Sequence, residues 1–275
     1  MTGRIPLIIV ATTTAACAGT GGGPSGKNLN YAVPSPASAV YHIGDTMSID
    51  MDTPAGSFTI TGAGSATVEL SFESDPVGLR VTGTVAAFEG SIDNPMMGLQ
   101  TAGLDDVSGN LEVLVSRAGV EELTTIPELG GPVAQVSSFP ALAFLLFPRM
   151  PDGDVDPGAT WVDTVATSTD TDEVSTTTTA VSTYTLVGDT LVDGRTLVRI
   201  AVATHIVTET DIEQGGMSIT QNVEGPSDGV FLWDPERRLV VQGEYERNVE
   251  GTMSMANLGT MSMAITGPTR IRLEG

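Results

Sequence analysis

Two copies of the five-residue sequence GTMSM lie near the C-terminus of this chain, between Val249 and Thr266. They contain four methionines at even offsets from one another: Met253, Met255, Met261 and Met263. Thioether sulfurs select Cu(I), but flexible methionine side chains also suit the wall of an apolar cavity or an ordinary core. No histidine or cysteine lies nearby in the sequence to complete a copper site. We therefore favour a buried strand face, then a cavity wall, and copper last.

Carboxylates at the first, third, fifth and twelfth positions of the segment DGDVDPGATWVD have the spacing of a calcium-binding loop. They are Asp152, Asp154, Asp156 and Asp163. Pro157 stands where such a loop needs glycine, and Trp161 is typical of a strand where the loop should lead into a helix. An acidic loop without a metal is the favoured interpretation. We therefore expect no cofactor, with calcium as the alternative.

Acid–base or nucleophilic chemistry finds little support in the sequence. His42 and His205 are each out of phase with the apolar residues around them, which predicts that both are exposed. The chain contains no Gly-x-Ser-x-Gly elbow, no His-Glu-x-x-His sequence and no phosphate-binding glycine loop after a strand. These features favour a protein that is not an enzyme.

The composition indicates strands and argues against nucleic acid as a partner. Hydrophobic residues make up 40% of the 275 residues but aromatic residues only 5%, and the formal net charge is −22. Binding to nucleic acid depends on Lys and Arg that neutralise phosphates, and Lys27 is the only lysine. Valine and threonine suit a pleated sheet, whereas the many glycines disfavour helices.

The N-terminus has the three-part layout of a secretory signal. Arg4 supplies one positive charge, an apolar run follows, and small residues precede Cys17, the only cysteine. We expect residues 1–16 to be a signal peptide and Cys17 to carry a lipid, as in a bacterial lipobox. Residues 17–39 are rich in Gly, Pro and Ser, which predicts a flexible linker. The sequence therefore predicts an exported protein of the bacterial cell envelope, anchored to the membrane by its lipid.

From Tyr41 onward, apolar and polar residues alternate with a period of two. Tyr41, Ile43 and Met47 share one face of a predicted strand, and turn signals such as Asp193-Gly194 separate successive strands. Such alternation marks antiparallel strands with one solvated face. We predict an all-β fold, with long antiparallel strands in a curved sheet or half-barrel.

The second half of the chain resembles a variation on the first. The order of strand and turn signals in residues 151–275 follows that in residues 40–150, which indicates an internal duplication. Any two antiparallel meanders would look alike, so that explanation stays open. Residues 40–150 form the first β half with a covering segment, and residues 151–275 form the second β half.

Between the halves, the period of two is lost. Phe139 to Phe147 is almost wholly apolar, too short to span a bilayer, and bounded by Pro140 and Pro148. We expect this stretch to be a short helical segment that covers the sheet. If it closes a cavity, its ligand contacts come from the following residues: Phe139, Leu142, Phe144 and Phe147.

The pattern GATWVDT…YTLVGDTLVDGRTLVRIAV…GVFLWDPERRLV resembles bacterial lipoproteins of unassigned function and about this size. In layout it is similar to open-barrel lipoprotein carriers, namely the outer-membrane lipoprotein carrier protein and the mycobacterial lipid-binding lipoproteins. That resemblance implies a half-barrel that binds or carries a hydrophobic small molecule or lipid, with the methionine repeat and the covering segment lining or closing the cavity. The alternative is a structural or adhesive envelope protein with a solid core, braced by calcium.

Lipid attachment at Cys17 is directly testable. We expect radiolabelled palmitate to be incorporated into the chain expressed in a bacterial envelope, because the thiol would receive a diacylglycerol. A chain with Cys17→Ser should take up no label while still being made. Equal labelling of the two chains, or no labelling of either, would contradict the lipid anchor.

Overall fold

A computed structural model describes residues 8–9, 26–53, 56–131, 133–134, 139–170, 174–214, 217–255 and 259–274. Cys17 and, apart from Ile8–Ile9, the predicted signal peptide lie outside these residues. The described chain is dominated by strands, with one short helix, α1 (Leu142–Leu146). Short 3₁₀ turns cover Leu104–Asp106 and Phe139–Ala141. The predicted all-β class is confirmed.

Along the chain, strands both precede and follow this helix. Within the described ranges, nine precede it: β1 (Ile8–Ile9), β2 (Ser38–Thr53), β3 (Gly56–Ser74), β4 (Gly78–Asn94), β5 (Gly98–Gly103), β6 (Val107–Ser108), β7 (Leu111–Ser116), β8 (Val120–Thr125) and β9 (Glu128–Leu129). Six long strands follow it: β10 (Thr160–Asp170), β11 (Val174–Val192), β12 (Arg195–Gln214), β13 (Met217–Asp234), β14 (Leu239–Met255) and β15 (Gly259–Leu273). Of the helices in the described chain, none has the length and apolar character to cross a membrane.

Thirteen of these strands form one antiparallel sheet that curls into an open half-barrel. Its order is β1-β10-β11-β12-β13-β14-β15-β2-β3-β4-β7-β8, with β5 paired to β4 outside this path. Neighbours in the sheet are mostly consecutive in the chain. The exceptions are β1 with β10, β4 with β7, and β15 with β2. The pairing of β15 with β2, which we call the seam, joins the two halves. The chain crosses from the β8 edge to the β10 edge through residues 126–159.

The period of two in the sequence becomes an inner and an outer face. In β2, Tyr41, Ile43 and Met47 are buried on the inner face, whereas His42 between them is exposed. Successive side chains of a strand point to opposite faces, so one face can be packed and the other solvated. His205 is exposed on β12. The predicted exposure of both histidines is confirmed.

The apolar stretch between the halves lies inside the curl of the sheet. We call residues 139–150 the covering segment; they form a 3₁₀ turn and then α1. Leu142 and Leu146 are fully buried. The ring of Phe139 lies 5.4 Å from that of Phe88, and the ring of Phe147 lies 6.3 Å from that of Phe72. The predicted helical covering segment is confirmed.

Part of the predicted flexible linker is packed onto the body. Leu29 and Tyr31 are 1% and 3% exposed, and the Tyr31 hydroxyl donates a 2.8 Å hydrogen bond to the carbonyl oxygen of Pro148. The Tyr31 ring also meets Trp233 edge-on at 4.9 Å. The linker prediction is therefore wrong for residues 26–37, because two apolar side chains within a polar composition find a place in the core. Residues 17–25 lie outside the described chain.

The predicted halves form one continuous sheet. Residues 40–150 contribute β2 to β8, and residues 151–275 contribute β10 to β15, to the same hydrogen-bonded ladder. Within each half, consecutive strands run as meanders, which both an internal duplication and two unrelated meanders would produce. The duplication stays a prediction.

The seam needs glycine at one position. Gly267 has φ of +145°, and a Cβ there would collide with the backbone of Thr46 on β2. We expect Gly267→Ala to lower the free energy of unfolding by about 1–3 kcal/mol or more, since both the backbone conformation and the close approach resist a side chain. Urea denaturation measures this change.

The matched control is Gly44→Ala on β2, where a Cβ would meet nothing within 4 Å. It should change the free energy of unfolding by less than about 1 kcal/mol. A loss at Gly267 no larger than that at Gly44 would contradict the seam.

Candidate ligand-binding cavity

A cavity of about 420 Å³ lies between the covering segment and the inner faces of β10 to β15. Its wall is mainly apolar. The covering segment contributes Phe144, Leu145 and Phe147, and the sheet contributes side chains that share the inward phase of their strands. Protein interiors normally leave few voids larger than a water molecule, so a space of this size is a feature that needs a physical explanation.

One row of polar side chains crosses the sheet wall of this cavity. Strand register places Ser182, Thr204, Ser227 and Arg247 opposite one another on β11, β12, β13 and β14. All four line the cavity, and the Ser182 and Thr204 hydroxyl oxygens are 2.9 Å apart. We call these four residues the polar row. Three of them are small, so the row leaves space in front of the sheet. It carries the cation Arg247 at one end, and beyond Ser182 at the other end the ladder continues to Asp163 on β10.

Apolar side chains flank the polar row on both sides. On one side of the row, two positions along the strands, the wall is apolar. The following residues form it: Ala180, Ile206, Val249 and, opposite Val249 on β15, Ile265. Two residues in the other direction, Tyr184 and Val202 face the cavity next to the covering segment. Burial raises the pKa of the Tyr184 phenol well above its ordinary value, so this hydroxyl stays protonated. The polar row of the cavity thus lies between two apolar zones.

Arg247 has two contacts with described side chains, and both are long. Its Nη2 lies 4.0 Å from Oδ2 of Asp45, and its Nη1 lies 3.9 Å from the sulfur of Met47. Asp45 is engaged elsewhere, because its Oδ1 accepts a 2.9 Å hydrogen bond from the Thr269 hydroxyl. Burial raises the pKa of Asp45, and Arg247 opposes this shift. The guanidinium therefore keeps unused hydrogen-bonding capacity beside the cavity.

A second charged pair lies where the covering segment ends. Arg149 pairs with Asp152 at 3.2 Å and with Glu121 at 3.9 Å, and its carbonyl oxygen accepts a 2.8 Å hydrogen bond from the Trp161 indole. Asp163 on β10 lines the cavity nearby. Its pKa is raised by burial, and Arg149 counteracts part of that rise. Arg149 is therefore already engaged by protein carboxylates, which outnumber it at this end of the cavity.

The predicted ligand residues of the covering segment separate into two groups. Phe144 and Phe147 line the cavity, as the cavity hypothesis requires. Phe139 and Leu142 are 3% and 0% exposed and lie in the packed core, away from the lining. A nearly continuous apolar run carries no sign of which residues face a void, since a short helix buries most of its circumference here.

The GTMSM repeat forms the buried face of the β14–β15 hairpin. Met253 lies directly opposite Met261 in the ladder, and Met261 and Met263 are each 5% exposed. With the half-buried Met255, they belong to a second apolar cluster that includes Met47, Met51, Ile92 and Val133. The four methionines are not among the residues that line the 420 Å³ cavity. Their placement matches the favoured interpretation, a buried strand face, and not a cavity wall.

The predicted calcium loop is not assembled. The Asp152 carboxylate accepts a 3.2 Å hydrogen bond from the Arg149 guanidinium. The Asp154 carboxylate accepts a 3.1 Å hydrogen bond from the Asn28 amide. Asp156 is exposed, whereas Asp163 faces the cavity from β10. Across the part of the chain that the structure describes, no three His, Cys, Asp or Glu side chains are grouped to hold a metal ion. The four aspartates are thus not brought together, because β10 begins at Thr160 and turns Asp163 inward; this arrangement agrees with the favoured interpretation of an acidic loop.

Arg247 is the residue of this site that the sequence interpretation missed. In the segment GEYERNVEG, it shares the inward phase of Tyr245 and Val249, while Glu244 and Glu246 alternate outward. A cation in phase with an apolar stripe was the available signal. The other members of the polar row gave no signal, since Ser and Thr are abundant throughout the chain.

A larger depression of about 870 Å³ lies beside exposed residues of β12 to β15 and β2. Its rim is strongly acidic, with five carboxylates and His205: Asp50, Asp52, Glu209, Glu224 and Glu250. Such a surface disfavours an apolar or anionic guest. The smaller cavity is therefore the better candidate site.

No family model and no curated protein matches this chain. Among solved structures, the β domain of the Bordetella autotransporter BrkA is similar at 12% identity, covering 84% of this chain and 98% of that one with a TM-score of 0.21. A candidate AttH protein from Nitrosomonas europaea is similar at 7% identity, covering 83% of this chain and 92% of that one with a TM-score of 0.19. At these scores, neither likeness carries an argument about function.

Asp163 makes the stability of the protein depend on pH. Because its pKa in the folded protein is raised, its charge lowers the free energy of unfolding at neutral pH. We expect Asp163→Asn to be more stable than the wild type at pH 7. As the pH falls toward the ordinary aspartate value of about 3.9, the folded wild type takes up the proton first, so the difference should shrink.

Chemical denaturation at several pH values measures this difference. The exposed Asp228→Asn on β13 is the control for the change in net charge. A constant difference between wild type and Asp163→Asn across the acid range would contradict the raised pKa.

Proposed function

We propose that this protein is an exported, lipid-anchored envelope protein without enzymatic activity that binds or carries a hydrophobic guest in the cavity of its half-barrel. The single observation that carries this proposal is the mainly apolar cavity of about 420 Å³. Its volume falls within the range of about 300–1,000 Å³ typical of small-molecule sites. We retain the resemblance in layout to the open-barrel lipoprotein carriers as part of this proposal.

The interior around the cavity supports a guest and not a packing defect. Two clusters of buried apolar side chains, each less than 10% exposed, adjoin the space, so it lies beside an otherwise water-excluded interior. An empty cavity lowers stability roughly in proportion to its volume, whereas a bound guest would restore those contacts. A solid core, as expected for the structural or adhesive alternative, disagrees with this interior.

The tether would bring the covering segment close to a membrane. Lys27 pairs with Val155 in a backbone bridge, and Tyr31 bonds to Pro148, so the N-terminal segment joins the body beside this segment. Cys17 and Gly26 are nine positions apart in the sequence, a span of at most roughly 30 Å. A lipid on Cys17 would therefore hold this end of the half-barrel near the bilayer, where hydrophobic guests reside.

Filling the cavity should abolish binding. Ala180 faces the cavity from β11, while its neighbour Val181 is 40% exposed on the opposite face. We expect the wild type to bind the apolar dye N-phenyl-1-naphthylamine saturably, and Ala180→Phe to bind it at least about tenfold more weakly, because the new ring occupies the space. Dye fluorescence measures the affinity.

Val181→Phe adds the same ring outside and should bind like the wild type. Thermal melting of all three proteins checks that they are folded. Equal binding by the three chains would show that the dye sits on the surface, and no saturable binding by the wild type would refute the proposed function.

A further inference from the structure

Arg247 is a permanent positive charge placed in a mainly apolar wall. It is half-buried on β14, between the inward-facing Tyr245 and Val249. Taking a guanidinium out of water is costly unless its N–H groups find acceptors. The described residues offer it Asp45 and Met47, at 4.0 Å and 3.9 Å.

The contact with Asp45 is not the bidentate pair that arginine forms with a free carboxylate. One carboxylate oxygen of Asp45 is bound by Thr269 at 2.9 Å, and the other lies at the limit of ion-pair distance from Arg247. A guanidinium has five N–H donors in a planar fork, which matches carboxylate and phosphate oxygens. Arg247 therefore lies near Asp45 but keeps N–H donors that are not bonded to it.

The neighbours of Arg247 in the polar row add hydroxyl groups at the same level of the wall. Ser227 is its direct partner in the ladder, and Thr204 and Ser182 follow on the next two strands. Hydroxyl donors beside a guanidinium suit an anionic oxygen headgroup, whereas the apolar zones on either side suit a hydrocarbon chain. A single polar row with apolar surface beside it matches a molecule that has one polar end and an apolar tail.

We propose that the guest is a single-chain amphiphile with an anionic oxygen headgroup, a carboxylate or a phosphate, which binds Arg247 while its tail lies against the apolar wall. This inference rests on the proposed function and adds the headgroup. The charges that line the cavity are Arg247, Arg149 and Asp163, and Arg149 is already paired with Asp152 and Glu121. Arg247 is the cation left for a ligand among these described residues.

The size of the cavity sets the approximate length of the tail. At about 30 Å³ for each water-sized group, 420 Å³ holds roughly fourteen non-hydrogen atoms. A saturated fatty acid of about twelve carbons has that size.

The net charge of −22 makes this headgroup preference informative. A strongly anionic protein repels anions from its surface, so non-specific association would favour neutral or cationic amphiphiles. Preference for an anion would have to come from a local site. Arg247 supplies that site.

Calorimetric titration of the full chain with dodecanoate, dodecyl phosphate and dodecan-1-ol, all below their micellar concentrations, tests the headgroup. We expect one or both anions to bind the wild type at least about tenfold more tightly than the alcohol. The tighter anion identifies carboxylate or phosphate as the better headgroup. Arg247→Gln should lose at least about tenfold in affinity for that anion and bind dodecan-1-ol unchanged.

Arg270→Gln is the matched control, because Arg270 pairs with Glu244 at 3.0 Å on the outer face. It should bind all three probes like the wild type. Arg247→Lys, which keeps the charge but not the fork, should recover part of the lost anion affinity, and it replaces Arg247→Gln if that chain does not fold.

The outcomes separate the two proposals. If dodecan-1-ol binds as tightly as the anions, or if loss of Arg247 weakens all three probes equally, the headgroup assignment is overturned while a hydrophobic site remains. If the wild type shows no saturable binding of the dye, the proposed function itself is refuted, and none of the three probes should then bind.

Discussion

The pairing of β15 with β2 is the constraint on which the rest of the structure depends. Ten residue pairs join the last strand to the first strand of the body, and they unite two meanders into one sheet. Without this seam, each half would present an unpaired edge of main-chain donors and acceptors, which is an aggregation hazard. The two inner faces would then share no interior. Gly267 permits the approach because it has no side chain to meet Thr46.

The cavity follows from how the interior is filled. One core cluster contains the covering segment, with Phe147 and Trp233, and the other contains the methionines of the β14–β15 hairpin. Buried apolar side chains occupy both regions. Between them, the small side chains of Ser182, Thr204 and Ser227 leave the space in front of the sheet unfilled. The residue choice along one ladder row thus creates both the void and its polar surface.

The fold was largely predictable, because alternation is a local property. The spacing of residues such as Tyr41 and Ile43 is enough to predict that they face inward. Asp193-Gly194 forms the predicted tight turn, with φ values of 51° and 79°. The buried covering segment was equally accessible from its composition. The packed N-terminal segment was missed, since two apolar residues, Leu29 and Tyr31, are outnumbered by Gly, Pro and Ser.

The candidate site was predictable only in part. Phe144 and Phe147 line the cavity as predicted, but the methionines and Leu142 are core residues, and the aspartate spacing did not assemble a calcium loop. Spacing in a loop specifies ligands only if the backbone turns as the motif requires. Here Pro157 precedes a strand that takes Asp163 into the interior.

What the sequence determined by itself is the inner or outer face of each strand residue, because the period of two belongs to a single strand and its hydrophobic pattern. Only the tertiary structure decided which inner residues face one another. Ser182 and Arg247 lie 65 positions apart and meet in one row through the register of three strand pairs. The hairpin turns set the starting register of each strand pair, but bulges between Leu186 and Gly188 and between Leu232 and Trp233 then shift it, so no single local pattern places these residues in one row.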